Sequence, residues 1–334
     1  VGAIQMTPSN EPEFSHTIKS KPLNEKKIAE ILHGYQTNPL GMSDDFEDFR
    51  ISIAGAQEKT AFLYHNKKWH IPISGTPTSH IFKLPIGIIP YQQLDLNDSC
   101  ENEWFCYQIA KAFDFEVAEC HVEFFEDVKV LVVKRFDRKY SSDKSWLMRL
   151  PQEDMCQALG FSSHLKYQAE GGPGISEIMK LLLGSHNPEQ DRKTFFRTQI
   201  LFWLLCAIDG HAKNFSIFIE PEGQYRLTPL YDIMSAYPLI KKKQLSERKI
   251  KMAMALRGKN VHYKWYEAKR SHFIESAQKS GYSSKLAEQM LDEMLEQVDG
   301  AIEKVSSLIP ASFPEIIASS IFEGMQKMKI HLSV

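Results

Sequence analysis

Residues 200–208, Ile-Leu-Phe-Trp-Leu-Leu-Cys-Ala-Ile, are almost wholly apolar and run directly into Asp209. A segment of that kind is buried, and a charge at its end needs a reason. The chain then alternates as a strand over 215–219, turns at Pro221-Glu222-Gly223, and returns as a second strand over 225–230. Such a hairpin brings Asp232 back beside Asn214. Few folds accommodate a buried segment, a polar loop and a hairpin that returns a second carboxylate to that loop.

The residue types fit phosphoryl transfer. A catalytic Asp five residues before a metal-binding Asn, followed by a second metal-binding Asp at a later strand end, is the protein-kinase arrangement. Asp209, Asn214 and Asp232 occupy those three places. A carboxylate accepts the proton of an attacking hydroxyl. An amide oxygen and one carboxylate suit Mg²⁺, which takes few protein ligands and completes its shell with phosphates and water. Taken singly, Asp209 reads equally well as a helix or turn cap.

Composition narrows the remaining classes. Net charge is −2, so no global field recruits nucleic acid. The twelve histidines include no HExxH and no paired Cys/His spacing, which argues against a structural zinc. Five cysteines form no CxxC and leave an odd one, which suits reduced thiols in the cytoplasm. No apolar run reaches membrane-spanning length.

The pattern along the chain predicts an α+β protein of two lobes with a cleft. Residues 1–25 read as a loose arm, 24–35 as a short helix and 38–48 as a loop. Strands are expected over 49–54, 60–65, 69–73, 79–84, 119–124 and 128–133, and a helix over 99–113. After Phe136 helices dominate: 151–159, 175–183, 191–208, and most of the chain from about Trp265. The expected division is a sheet-rich N-lobe (1–136) and a helical C-lobe (137–334).

Further pieces fit a nucleotide site. Lys83 lies in a strand and Glu103 on the next helix, the pair a kinase uses to hold nucleotide phosphates; the plainer reading is an edge lysine facing water. Ser52-Ile-Ala-Gly-Ala-Gln-Glu-Lys59 joins two strands with small residues that let backbone N–H groups approach phosphates, though a hairpin turn reads the same way. Lys134-Arg135-Phe136 ends a strand where a linker could meet adenine. Gly171-Gly-Pro-Gly174 is a flexible turn or an anion site, and the basic run from Lys241 to Lys251 is a solvated loop or a contact for nucleic acid or an acidic partner.

Together these residues resemble the HipA family of serine/threonine kinase toxins. The likeness rests on Arg50–Thr60, His80–Gly87, Leu150–Gln157, Gly171–Gly174, Asp209–Phe215 and Leu227–Ile233. It implies a two-lobed kinase-like fold using ATP and Mg²⁺, with Asp209 as base and Asn214 and Asp232 as metal ligands. It implies phosphate contacts from Lys83, from Ala54, Gly55, Ala56, Gln57, Glu58 and Lys59, and from His211 and Lys213. Lys134, Arg135 and Phe136 would meet adenine through the backbone, a Lys standing at 134 where the family pattern has Glu. The resemblance further implies inhibitory autophosphorylation at Ser52, a protein substrate such as an aminoacyl-tRNA synthetase, and a DNA-binding antitoxin. Only 48 residues precede Phe49, where longer relatives carry an extra N-terminal subdomain. The expectation is therefore a short, split form in which a separate small protein replaces that subdomain and antitoxin contact is indirect. A small-molecule kinase and a non-catalytic regulatory binding protein are the competing functions.

Overall fold

A computed structural model describes residues 16–37 and 57–334. The expected loop over 38–48, the strand over 49–54, and Ser52, Ala54, Gly55 and Ala56 lie outside the described residues. The chain forms two compact units. One holds the chain up to Pro90 with Leu96–Trp104 and Ala118–Pro151; the other holds Tyr91–Asp95, Phe105–Val117 and Gln152–Val334.

The first unit is built on a six-stranded antiparallel sheet. Its strand order is Ser20–Pro22, Lys68–Pro72, Lys59–His65, His80–Lys83, Val128–Lys134, Cys120–Phe125. Part of the expected loose arm is thus an edge strand, fixed where Ser20, Lys21 and Pro22 face Pro72, Ile71 and His70. Proline is tolerated there because an edge strand need not donate on its outer side. The helix Glu25–Thr37 starts at Asn24, whose Oδ1 accepts the Lys27 N–H at 2.8 Å. It buries Ile28, Ala29, Ile31 and Leu32 against Phe62, Phe82, Val130 and Val132 of the sheet. Side chains alternate across a sheet, so Lys83, next to Phe82, points to the opposite face. Its strand is central, which removes the edge-lysine reading.

The unit runs past the expected boundary at residue 136 because Asp137 ties the following chain back. Its buried carboxylate accepts from Arg135 Nε and Nη2 at 3.0 and 2.8 Å and from Arg138 Nη1 at 2.8 Å. Its carbonyl accepts the Leu150 N–H at 2.9 Å. Between these anchors Arg138–Tyr140 pairs with Leu147–Arg149, a hairpin the sequence pattern had not marked.

Burial also gives this sheet an acid-sensitive point. His80 packs edge-on against Trp69, with Nδ1 2.8 Å from Ser79 Oγ. Burial, aided by His121 and Lys134, depresses its pKa from 6.5 to about 4. The unfolded chain therefore binds a proton here between those values and the folded chain does not. The stabilisation is complete above pH 6.5 and is lost as pH falls towards 4. In urea titrations, His80→Asn is expected to lose less stability than wild type between pH 7 and pH 4.5. Equal losses would show that His80 is not the sensitive group.

The second unit is organised around the helix Pro188–Leu205. Asn187 caps it and Pro188 occupies its first turn, three residues before the expected start. From Ile200 to Leu205 every residue is buried. The helices Ser284–Ser306 and Glu315–Leu332 pack against it and against each other. The first of these presents Ala287, Met290, Leu291, Met294, Leu295 and Val298 at helical spacing. One expectation fails here. Residues 151–159 form a strand, Gln152–Asp154, and only a four-residue helix, Met155–Ala158. Asp154 stops the helix from starting earlier, since its side chain caps the Gln157 N–H at 2.9 Å. The strand adds to the hairpin Ser216–Ile219 and Tyr225–Leu227, completing a three-stranded antiparallel sheet. A second hairpin, Lys251–Arg257 with Val261–Lys264, stands where the sequence pattern had marked no element. The basic run leading to it carries ion pairs, Lys241 with Glu323 at 2.7 Å and Lys242 with Asp95 at 3.4 Å. Among the described residues no helix is long and apolar enough to cross a membrane.

Candidate active site

The apolar run leaves its helix before Asp209. Cys206 adopts a left-handed conformation (φ 49°, ψ 43°), the Ala207 N–H reaches back to the Phe202 carbonyl at 2.8 Å and the Cys206 N–H to that of Trp203 at 3.3 Å. This is the paired helix-ending geometry that glycine usually supplies; with cysteine in that place the expected end at Ile208 is three residues too late. The helix's last carbonyls are all satisfied. Trp203, Leu204 and Leu205 accept from Trp265 Nε1 at 2.9 Å, Tyr237 Oη at 3.0 Å and Ser235 Oγ at 2.6 Å. The chain therefore enters the loop from a fixed point, and Asp209 is neither a helix cap nor buried: it is exposed. Gly210 is required by packing, because a Cβ there would lie 2.3 Å from the Phe202 ring.

Three hydrogen bonds assemble the loop. The His211 N–H donates to the Asp209 carbonyl at 2.7 Å and to Asn214 Oδ1 at 3.1 Å. Asn214 Nδ2 donates to Asp232 Oδ2 at 3.1 Å. The hairpin does return Asp232 to Asn214, and Tyr231 secures the return. Its hydroxyl donates to the Lys213 carbonyl at 2.9 Å and lies 2.6 Å from Ser216 Oγ. Asp232 is exposed and has a left-handed backbone (φ 61°), which aspartate and asparagine tolerate better than most residues. His211 is buried; desolvation holds its pKa below the ordinary value, and its Nδ1 has no hydrogen-bond partner among the described residues. Lys213 pairs with Asp154 at 2.7 Å. Its ammonium is thus committed to the residue that caps the helix Met155–Ala158.

One residue of this cluster had no sequence signal. Tyr167 donates its phenol to Asp209 Oδ1 at 2.6 Å, and its ring stands edge-on to His211 with centroids 5.1 Å apart. Burial first, then Asp209, raises its pKa.

The first unit holds the other predicted residues. Lys83 Nζ meets Glu103 Oε1 at 2.6 Å, with only 8% and 6% of the two side chains exposed. Lys59 lies opposite Lys83 in the sheet register. The neighbouring Glu58 carbonyl accepts the Leu84 N–H at 3.0 Å, and Gln57 Nε2 donates to the Leu84 carbonyl at 2.6 Å. The amides of Lys134 and Arg135 donate to Glu119 and Ser79 carbonyls at 2.8 and 2.9 Å. A ligand reading this segment through those two N–H groups would have to break sheet bonds. The Lys134 side chain pairs with Glu119 at the surface, and that of Arg135 is taken by Asp137 and Thr78.

Comparison with known proteins gives this geometry a lineage. Residues 51–302 match the HipA-like C-terminal domain. The chain is 35% identical over 244 residues to Y4mE of Sinorhizobium fredii, which bears a provisional kinase name, covering 71% of this chain and 56% of that one. It is 29% identical over 197 residues to the serine/threonine-protein kinase toxin HipA of Shewanella oneidensis, covering 56% and 43%. The chain thus spans about half the length of the curated relatives it matches. The fold is that of HipA in the S. oneidensis complex of HipA, HipB and operator DNA (TM-score 0.75, 22% identity, 98% of this chain and 73% of that one). It is also similar to the Helicobacter pylori proinflammatory kinase CtkA (TM-score 0.51, 12% identity, 81% and 90%). The sheet-rich first unit and the helical second unit are accordingly a kinase-like α+β architecture, and with three quarters of its length matched the chain belongs to the family defined by the HipA-like C-terminal domain.

Proposed function

We propose that the chain is an ATP-dependent serine/threonine protein kinase acting as the toxin of a toxin–antitoxin system in the cytoplasm. The observation that carries the reading is the Asn214–Asp232 hydrogen bond, on a loop that also presents an exposed Asp209. In the mechanism, a substrate hydroxyl attacks the terminal phosphorus of ATP, its O–H proton passes to the Asp209 carboxylate, and ADP leaves. Lys83, held by Glu103, contributes a positive charge suited to nucleotide phosphates.

The donor set suits Mg²⁺. The Asp232 carboxylate is exposed, and Asn214 Oδ1 keeps a second lone pair after accepting from His211. Among the described residues no cluster of three or more His, Cys, Asp or Glu forms a metal cage. Mg²⁺ takes few ligands from protein and completes its shell with phosphates and water. Mg²⁺ held there would offset the negative charge of the phosphates. The orphaned Nδ1 of His211 is a candidate donor to a phosphate oxygen.

The S. oneidensis relative crystallises with HipB and operator DNA, which supports an antitoxin partner for this chain. Ser52 falls within the matched family segment, and its autophosphorylation would place roughly −1.5 to −2 charge beside a loop that has to hold phosphates. The substrate reading, a translation factor such as an aminoacyl-tRNA synthetase, rests on the family resemblance.

Purified chain with radiolabelled ATP, Mg²⁺ and cell extract tests this reading. Labelled proteins carrying phosphoserine or phosphothreonine, and phosphate on Ser52 of the chain itself, are expected by mass spectrometry. Label confined to small molecules would replace the protein-kinase reading with a small-molecule kinase.

A further inference from the structure

We infer that Tyr167 is a positioning residue for Asp209, holding one carboxylate oxygen so that the other faces the attacking hydroxyl; the inference rests on the kinase reading above. The phenol donates to Asp209 Oδ1 at 2.6 Å, short for a neutral donor and typical of a bond to an ionised acceptor. An exposed aspartate on a loop would otherwise turn about two side-chain torsions. With Oδ1 engaged, Oδ2 has a defined direction.

The surrounding chain is arranged to make this contact. Tyr167 precedes the Gly171-Gly172-Pro173-Gly174 loop, and that loop folds back beneath it. The Gly172 N–H donates to the Tyr167 carbonyl at 3.0 Å. A Cβ on Gly172 would lie 2.1 Å from the Leu165 carbonyl oxygen, so only glycine closes the loop. The loop's last N–H, that of Gly174, is taken by Glu177 Oε2 at 3.0 Å, so the glycine run serves packing here.

Both partners are hung from one strand. In Lys251–Arg257, the Ala253 N–H donates to the carbonyl of Ile208, the residue before Asp209, at 3.0 Å. Two residues on, the Ala255 N–H donates to Oε1 of Gln168, the residue after Tyr167, at 2.7 Å. That strand therefore fixes the separation of the phenol and the carboxylate. Across the loop, the Ala212 N–H donates to the Lys166 carbonyl at 3.3 Å, and the Lys166 ammonium lies 4.9 Å from the centre of the Tyr167 ring. Glu170, Lys166, His211 and Asp209 are the charged or titratable groups that face the phenol.

Two measurements test the assignment on the full chain. Tyrosine-labelled ¹³C NMR follows the Tyr167 phenol without requiring turnover. Its ionisation is expected above that of ordinary tyrosines and to fall in Asp209→Ala; no response to Asp209→Ala would overturn the contact. Steady-state formation of ADP from Mg-ATP, with cell extract as the phosphoryl acceptor, then compares wild type with Tyr167→Phe, which keeps the ring and removes only the O–H. The expected result is kcat lower by about 10- to 100-fold, from loss of one bond to a charged group, with the KM for ATP and the unfolding midpoint unchanged. Wild-type kcat in Tyr167→Phe, or a loss confined to KM, would overturn the positioning role while leaving the kinase reading standing. An intact contact in a wild-type chain that never consumes ATP would overturn both.

Discussion

Asp209→Ala is expected to lower phosphoryl transfer by about 100-fold or more, the usual contribution of a positioned general base, while leaving the fold intact. The second half follows from where the residue sits. Asp209 is exposed, follows a helix whose end is capped by other residues, and makes its described side-chain contact with Tyr167. Removing such a side chain should change stability by about 0.5 kcal/mol or less. The two metal-ligand candidates are less clean. Asn214 is buried and its oxygen accepts the His211 N–H, so Asn214→Ala should also cost about 1–3 kcal/mol for the donor left behind. Asp232 has φ 61°, so alanine there confounds lost charge with backbone strain. Asp232→Asn keeps the tolerated conformation and removes only the charge. Measured beside urea denaturation, a well-folded Asp209→Ala that retains near-wild-type transfer would remove the residue from the mechanism.

How far the site could be read from the chain depends on the range of each interaction. The hairpin from Asn214 to Asp232 was legible because alternation and a Pro-Glu-Gly turn are local signals. The strands carrying Lys83 and Val128–Lys134 were legible for the same reason. The end of the long helix was not, since cysteine at a left-handed position leaves no mark comparable with glycine. Tyr167 was invisible because it lies 42 residues before Asp209, and the strand that aligns the two comes later still, over residues to which the pattern assigned no element. The strand at Gln152–Asp154 was mistaken for helix because its partner, Ser216–Phe218, is remote in sequence. Local propensity yields to such pairing. Lys213 was expected at the phosphates; Asp154, which takes its ammonium, reaches it only through that same pairing.

Lys83→Ala is expected to destabilise the first unit by about 3–5 kcal/mol, the cost of leaving one partner of a buried ion pair without the other. The lysine lies on a central strand, the two side chains are 8% and 6% exposed, and the bond is 2.6 Å. An exposed pair, such as Lys134 with Glu119, should cost no more than about 1 kcal/mol when broken. The same argument separates structure from function. Replacing both partners by apolar residues of similar volume, Lys83→Met with Glu103→Leu, removes both buried charges together and is often neutral or stabilising. The double variant should therefore recover most of the stability lost in Lys83→Ala. It should not recover nucleotide binding, because no side chain then offers the phosphates a positive charge from that strand. Urea midpoints and calorimetric titration with Mg-ATP distinguish the cases. A double variant that binds ATP as wild type does would reduce Lys83 to a structural partner of Glu103 and take the phosphate contact away from it. A double variant that stays as unstable as Lys83→Ala would instead show that the pair is held for the packing of its alkyl stems rather than for the relief of buried charge.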